Sequence, residues 1–188
     1  MPDVIGSVVD GRYELLSMLG SGTFGVVYKA LDLKADTHSS RAIKIIPKAY
    51  RSPWEIEAVR REVELQSLVT GYPNIVGIHD AFENDHYSYL VLDLCLGGDL
   101  FHQICCQKAY AHNDEQLRTT FLQLVGALET CHEANIFHRD LKPENIMTNL
   151  DGSEIFLADF GLATQCTMTN EHGCGTEIYM SPGKLLSH

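Results

Sequence analysis

Apolar residues in the first half of the chain fall in short runs punctuated by glycine and polar turns. RYELLSML (12–19) and GVVYKALDL (25–33) flank a glycine-rich turn, and RAIKIIP (41–47) follows the polar turn ADTHSS. IVGIHDAF (75–82) and YSYLVLDL (87–94) complete the set, and all five runs read as strands. One helix interrupts them. Ser52 is a good N-cap, Pro53 suits the first helical position, and Glu55 completes a capping box. Val59, Val63 and Leu68 give this helix an apolar stripe, and the stretch from Gly71 to Asn74 breaks it.

Beyond Gly97-Gly98 the period changes. Asn113 with Gln116 opens a second helix, predicted over about 114–133, with Leu117, Phe121, Leu124, Val125 and Leu128 as its core face. Two short runs follow, IFHRDLKPENIMTNLD (136–151) and SEIFLADFGLA (153–163). Their apolar residues are interrupted by Asp, Asn and Lys, which are costly to bury unless they are hydrogen-bonded or functional.

The chain has 188 residues, 45% of them hydrophobic, enough for a real core. No run of eighteen apolar residues occurs, and the start lacks the basic and greasy regions of a signal peptide, so the expectation is a soluble protein of the cytoplasm, the nucleus or both. The six cysteines show no C-x-x-C pairing and read as reduced thiols, and His172 with Cys174 supplies too few ligands for a metal. A net charge of -11 argues against nucleic-acid binding, which depends on basic surface. Neither a membrane nor a nucleic acid is therefore an expected partner, and no motif sets an oligomeric state.

Three polar constellations carry chemistry. Gly20, Gly22 and Gly25 in LGSGTFGVVYKA form G-x-G-x-x-G, whose backbone amides can approach phosphates. Dinucleotide-binding folds use the same letters, but they require a helix directly afterwards and an acidic residue about twenty positions on. Here a strand follows, and the residue in that position is Lys44, in AIKII. A strand lysine between apolar neighbours needs a counter-charge. Glu62 and Glu64 are the candidates; they point about 200° apart on the helix, and Glu62 lies nearer the apolar edge. In HRDLKPEN (138–145), Asp140 can orient a hydroxyl and accept its proton, Lys142 can neutralise a phosphoryl oxygen, and Asn145 can hold Mg²⁺. Asp159, in ADFGLA, adds the carboxylate that such a metal needs.

With these motifs in this order the chain resembles the eukaryotic protein kinases over residues 13 to 182. The resemblance implies an α+β, bilobal fold. Residues 1–95 would be an antiparallel β N-lobe with one helix, and residues 96–188 an incomplete, mainly helical C-lobe with catalytic loop and activation segment. It further implies ATP and Mg²⁺ as cofactors, with the three glycines over the phosphates and Lys44, held by Glu62, on the α- and β-phosphates. Leu19, Val27, Ala42 and Met147 match the adenine sandwich. Leu92 matches the gatekeeper, Asp93 and Cys95 the hinge positions whose backbone bonds adenine, and Asp99 a ribose contact. Asp140 is implied as catalytic base, and Asn145 and Asp159 as metal ligands.

Lys142 in D-L-K-P-E-N is typical of serine/threonine kinases, and Thr176 matches a threonine that braces the catalytic loop. The implied reaction is transfer of the γ-phosphoryl to a Ser or Thr hydroxyl of a protein. Arg139 matches a position that binds an activation-loop phosphate, for which Thr167 and Thr169 are candidates, with Glu171 able to supply the charge instead. Glu144 and Asp99 match positions that bind arginine, favouring basic substrate sites. GCGTEIYMSP and LDLCLGGDLF look most like a fungal serine/threonine group.

The pattern departs at its end. The family continues Ser-Pro-Glu, whereas Gly183 stands in place of the glutamate. The expectation is a C-terminal truncation that leaves apolar surface exposed on the 114–133 helix and catalytic loop. Gly183–His188 would then be translated intron, since Gly-Lys can be encoded with a splice-donor start. The alternative function is a non-catalytic fragment that binds nucleotide or kinase partners without turnover.

Overall fold

A computed structural model describes residues 4–22, 25–36, 39–49, 51–108, 110–111, 113–166 and 175–180. The expectations placed on Thr167, Thr169, Glu171, the His172–Cys174 pair and Gly183–His188 lie outside these residues. Packing divides the chain into two compact units, residues 1–63 with 78–94 and residues 64–77 with 95–188.

The first unit is an antiparallel sheet of β1 (Val8–Val9), β2 (Tyr13–Gly22), β3 (Gly25–Asp32), β4 (Ser39–Pro47), β5 (Ile78–Glu83) and β6 (Tyr87–Leu92). Their order is β1-β2-β3-β4-β6-β5. The sheet curls so that side chains at the start of β2 reach those of β5, although the two strands do not pair. Tyr13 Oη donates to Asp80 Oδ2 at 3.1 Å, and its ring stacks parallel to Phe82 with centroids 6.1 Å apart. Burial, with the Asp80 carboxylate beside it, pushes the Tyr13 hydroxyl up to about 12. Arg12 grips buried Asp32 through two bonds of 2.9 and 2.7 Å and reaches Asp80 at 3.4 Å. Inside the curl, Tyr13, Leu15, Tyr28, Ala30, Ile43, Ile45, Tyr89 and Val91 form one apolar cluster. Alternation puts Ala42, Lys44 and Ile46 on the opposite face of β4, where Ile46 meets Ile78, Leu90, Val59 and Val63.

Helix α1 (Pro53–Leu68) begins at the expected capping box. Ser52 N donates to Glu55 Oε2 at 2.7 Å, and Glu55 N returns a bond to Ser52 Oγ at 3.4 Å. The predicted apolar stripe is corrected at its end, because Leu68 is 54% exposed. Five residues of helix carry Leu68 about 140° around from Val63, so Leu65, Gln66 and Val69 face inward instead.

These inward residues explain why 64–77, assigned from sequence to the first half, cluster with the second unit. Leu65, Val69 and Ile75 pack with Ile136, Ile146, Ile155, Leu157 and Phe160. The backbone follows: Leu157 N donates to Asn74 O at 2.8 Å and Val76 N to Leu157 O at 2.9 Å, a short parallel bridge. The remainder of this unit comprises α2 (Leu100–Cys105), α3 (Asp114–Glu133) and the hairpin β7 (Ile146–Thr148) to β8 (Ile155–Leu157).

Asn113 caps α3 as expected, accepting from Gln116 N at 3.1 Å. Its core face differs from the predicted stripe. Thr120, Ala127 and Cys131 are the buried positions, flanked by Leu124 and Leu128, whereas Leu117 and Phe121 are 53% and 63% exposed. Small side chains on the buried line let the helix lie close to its neighbours, so larger apolar residues to one side remain outside. Among the described residues, no helix is long and apolar enough to cross a membrane.

Candidate active site

The expected site residues of the first unit gather on one face of its sheet. Val27 stands opposite Lys44, Lys44 opposite Leu90, and Ala42 opposite Leu92. Directly opposed residues share a face, so the ladder brings Val27, Ala42, Lys44 and Leu92 together. Leu19 lies at a bulge between Met18 and Gly20 and is 47% exposed. The glycines divide by role. A Cβ on Gly20 or Gly22 would meet nothing within 4 Å, whereas one on Gly25 would collide with the Ile45 carbonyl on β4. The first two leave backbone open to a ligand; the third lets β3 lie against β4.

Lys44 has the partner chosen from sequence. Its Nζ lies 2.7 Å from Glu62 Oε1, with Glu62 only 5% exposed, while Glu64 faces solvent. A charge so enclosed is tolerable only when paired, and the pair fixes where the ammonium points.

In the second unit, four donors converge on the Asp140 carboxylate. Oδ1 accepts the backbone N–H of Thr176 at 2.9 Å and its hydroxyl at 2.8 Å. Oδ2 accepts Lys142 Nζ at 2.8 Å and Asn145 Nδ2 at 3.0 Å. Lys142 Nζ also donates to Thr176 Oγ1 at 2.9 Å, closing a ring of three residues. Burial alone would push the Asp140 carboxyl up; the bonds from Lys142, Thr176 and Asn145 outweigh it and hold it below the ordinary carboxylate range. Asn145 Nδ2 also binds the Asp140 carbonyl at 2.9 Å, so both amide hydrogens are used and the amide oxygen is turned outward as an acceptor.

Two residues of the candidate site have left-handed backbone without being glycine: Arg139 at φ 67° and Asp159 at φ 61°. Such conformations cost about 1–3 kcal/mol and persist where the surroundings impose them. The supports are visible. Arg139 Nε donates to Leu162 O at 2.6 Å, and Phe137 and Thr164 exchange backbone bonds of 2.8 and 3.0 Å. Asp159 immediately precedes a 3-10 turn at Phe160–Leu162 whose Phe160 is fully buried.

Sequence reasoning named His138 only as part of a motif, and its role emerges from packing. The ring bonds Ala158 O through Nε2 at 2.9 Å and stands edge-on to Phe160, centroids 5.0 Å apart. Burial pushes its pKa below the usual value and keeps it neutral, so it joins the loop of Asp140 to the strand end before Asp159 as a structural tie. Gly97 was missed as well. Its N–H bonds Thr148 O at 3.0 Å, and a Cβ there would collide with Asn149 O and the Thr148 hydroxyl. Glycine is thus required where the 95–99 strap crosses β7. Along that strap Asp99 bridges to Met147, and Cys95 is half-buried. Asp99, expected to touch a ribose, also caps α2 by accepting His102 N at 2.7 Å.

A hard cation suits this donor set, an outward amide oxygen on Asn145 and the Asp159 carboxylate, with further oxygens from phosphate and water. Among the described residues no cluster of three His, Cys, Asp or Glu side chains could enclose a metal by itself.

A family model described as "Protein kinase domain" matches residues 13–188, and the chain belongs to that family. It is 40% identical over 179 residues to the "Negative regulator of sexual conjugation and meiosis" of Schizosaccharomyces pombe, covering 95% of this chain and 38% of that protein. It is 37% identical to "CBL-interacting protein kinase 16" of Oryza sativa subsp. japonica, covering 95% of this chain and 39% of the relative. "CBL-interacting serine/threonine-protein kinase 15" of Arabidopsis thaliana is 36% identical, with 94% and 42% covered. The chain spans about two fifths of the length of these relatives. Phosphoryl transfer to proteins with ATP and a divalent metal is the general chemistry of the protein kinase family, and the Arabidopsis relative is named a serine/threonine-protein kinase.

Proposed function

We propose that this chain transfers the γ-phosphoryl group of ATP to serine and threonine hydroxyls of protein substrates, favouring basic sites. The observation that carries this reading is the Asp140 carboxylate held by Lys142, Asn145 and Thr176. When bound, Mg-ATP supplies the phosphoryl group and neutralises charge on the phosphates; positioning is the protein's part.

Lys44, fixed by Glu62, binds the α- and β-phosphates, with the amides around Gly20 and Gly22 over them. Val27, Ala42, Leu92 and Leu19 would line the adenine on the first unit, with the backbone at Asp93 bonding its edge; Met147, Cys95 and Asp99 of the second unit match the family's positions for the same nucleotide. Asn145 and Asp159 hold the metal. Asp140 orients the substrate hydroxyl and accepts its proton as the oxygen attacks in line, and Lys142 steadies the transferring group. A carboxyl held below its ordinary range is a weak base, so orientation matters more here than early proton removal. Exposed Glu144, with Asp99, offers carboxylates to arginines of the substrate.

The test uses the 188-residue chain with Mg-ATP and a basic serine peptide, following phosphate transfer and thermal shift. Asp140→Asn is expected to lower transfer by about 10²–10⁴-fold with the melt retained. A cooperative melt with a Mg-ATP shift but no transfer would instead support a nucleotide-binding module without turnover. Transfer unchanged in the variant would overturn the assignment of Asp140.

A further inference from the structure

We infer that Glu83 is a positioning residue for the Lys44–Glu62 pair, fixing the seat of α1 on the sheet through Arg60 and Lys48; the inference rests on the kinase reading above. Only residues 53–63 of α1 belong to the first unit, about three turns, and these hold the helix on the sheet. Val59 and Val63 make its apolar contact, against Ile46, Ile78 and Leu90. Apolar contact is non-directional, so it resists separation far better than rolling. At about 100° per residue, Glu62 and Arg60 project about 80° to either side of the line through Val59 and Val63. Glu62 meets Lys44 on one side at 2.7 Å. On the other, Arg60 Nη2 donates to Glu83 Oε1 at 2.8 Å. Rolling the helix lengthens at least one of these pairs, so together they set its rotation.

Glu83 suits this task because it is itself held. It is the last residue of β5, opposite Ser88, and its second oxygen, Oε2, accepts Lys48 Nζ at 2.9 Å. Lys48 directly follows β4; its N–H continues the ladder to His86 O at 2.8 Å, and its Nζ also donates to Asn84 O at 2.8 Å. One carboxylate thus joins the helix to the ends of two strands, and the same bonds keep it below its ordinary pKa range. Arg60 also lies 3.5 Å from Glu57, but that residue is on α1 and restrains nothing against the sheet. Arg51 Nε donates to Pro47 O at 2.9 Å, a single bond ahead of the first turn about which the helix can still swivel. The Arg60 and Glu83 side chains are 59% and 40% exposed, so their bond adds little to stability. Its consequence is geometric, since a small misplacement of the Lys44 ammonium on the phosphates is costly to rate even in an intact fold.

The test measures kcat, KM for ATP and melting temperature in the 188-residue chain. Glu83→Ala removes the anchor, Arg60→Ala removes the helix's end of the bridge, and Arg60→Lys keeps a cation of similar reach. The expected result for Glu83→Ala is a fall of about three- to fivefold in kcat, with KM for ATP within about twofold and the melt nearly unmoved. Arg60→Ala should match it, Arg60→Lys should recover most of the loss, and the double Ala variant should lose no more than either single one. Salt adds a readout that packing alone would not move. Raising the ionic strength from about 0.05 M to about 0.5 M should close most of the gap between wild type and Glu83→Ala, because the exposed pairs are screened. An unchanged kcat in the Glu83→Ala protein would overturn the inference alone, as would equal losses in Arg60→Ala and Arg60→Lys, full additivity in the double variant, or a gap that persists at high salt. A wild-type chain that melts cooperatively but transfers no phosphate would overturn the kinase reading and this inference together.

Discussion

Thr176 shows how much one hydroxyl can be asked to do. It donates to Asp140 and accepts from Lys142, so it ties together two charges that are also in direct contact at 2.8 Å and fixes their mutual orientation. Replacing it with valine keeps the shape and the backbone N–H bond but removes both hydroxyl bonds. We expect Thr176→Val to lower kcat about tenfold, corresponding to about 1–2 kcal/mol for a bond to a charged group, with Thr176→Ser restoring most of it. Steady-state kinetics with saturating ATP will read this; full activity in Thr176→Val with a loss in Thr176→Ser would show that packing of the methyl, not the hydroxyl, matters.

At the scale of elements, the glycine-rich hairpin separates two demands that its sequence motif merges. Gly25 is needed by the sheet, because a methyl group would drive into the Ile45 carbonyl and force β3 away from β4. Gly22 has open space around its Cβ position. Gly25→Ala is therefore expected to lower stability by about 1–3 kcal/mol, whereas Gly22→Ala should leave the melt within about 0.5 kcal/mol and weaken Mg-ATP binding. Thermal denaturation and nucleotide titration of the two variants, side by side, distinguish the roles. The helices show a comparable division. Their starts are written locally in capping boxes, while their buried faces follow from which neighbours they meet, hence the outward Leu68, Leu117 and Phe121.

Over the whole molecule, each unit contains a carboxylate whose charge the fold depends on. Asp32 is held by Arg12 in the first unit, and Asp140 by Lys142, Thr176 and Asn145 in the second. Both sit below the ordinary value of 3.8, Asp32 through its bonds to Arg12 and Asp140 through bonds that exceed its burial penalty. A depressed folded pKa contributes stability that is complete above the unfolded value and disappears as pH falls through the folded one. The melting temperature should thus hold steady near neutrality and drop as pH goes below about 4. The Arg12→Ala protein should lose less on acidification than the wild type, because its Asp32 has already forfeited that bond. Calorimetry from pH 7 to pH 3 checks both statements.

The sequence alone determined the strands β2, β3, β4, β5 and β6, the starts of α1 and α3, and the Lys44–Glu62 pair. Each depends on spacing within a segment or on a charge that must find its nearest opposite. The constellation at Asp140, Lys142 and Asn145 was legible for the same reason, since three polar residues in one short loop are bound to meet. Tertiary structure decided the rest. β1 and α2 are too short to impose a period, and residues 64–77 join the second core only because Leu65, Val69 and Ile75 find partners there. His138 and Gly97 acquire roles from the residues they touch across long stretches of chain, the Ala158 carbonyl in one case and Asn149 in the other. The bridge that Glu83 makes between Arg60 and Lys48 depends on how a helix lies on a sheet, which no single segment records.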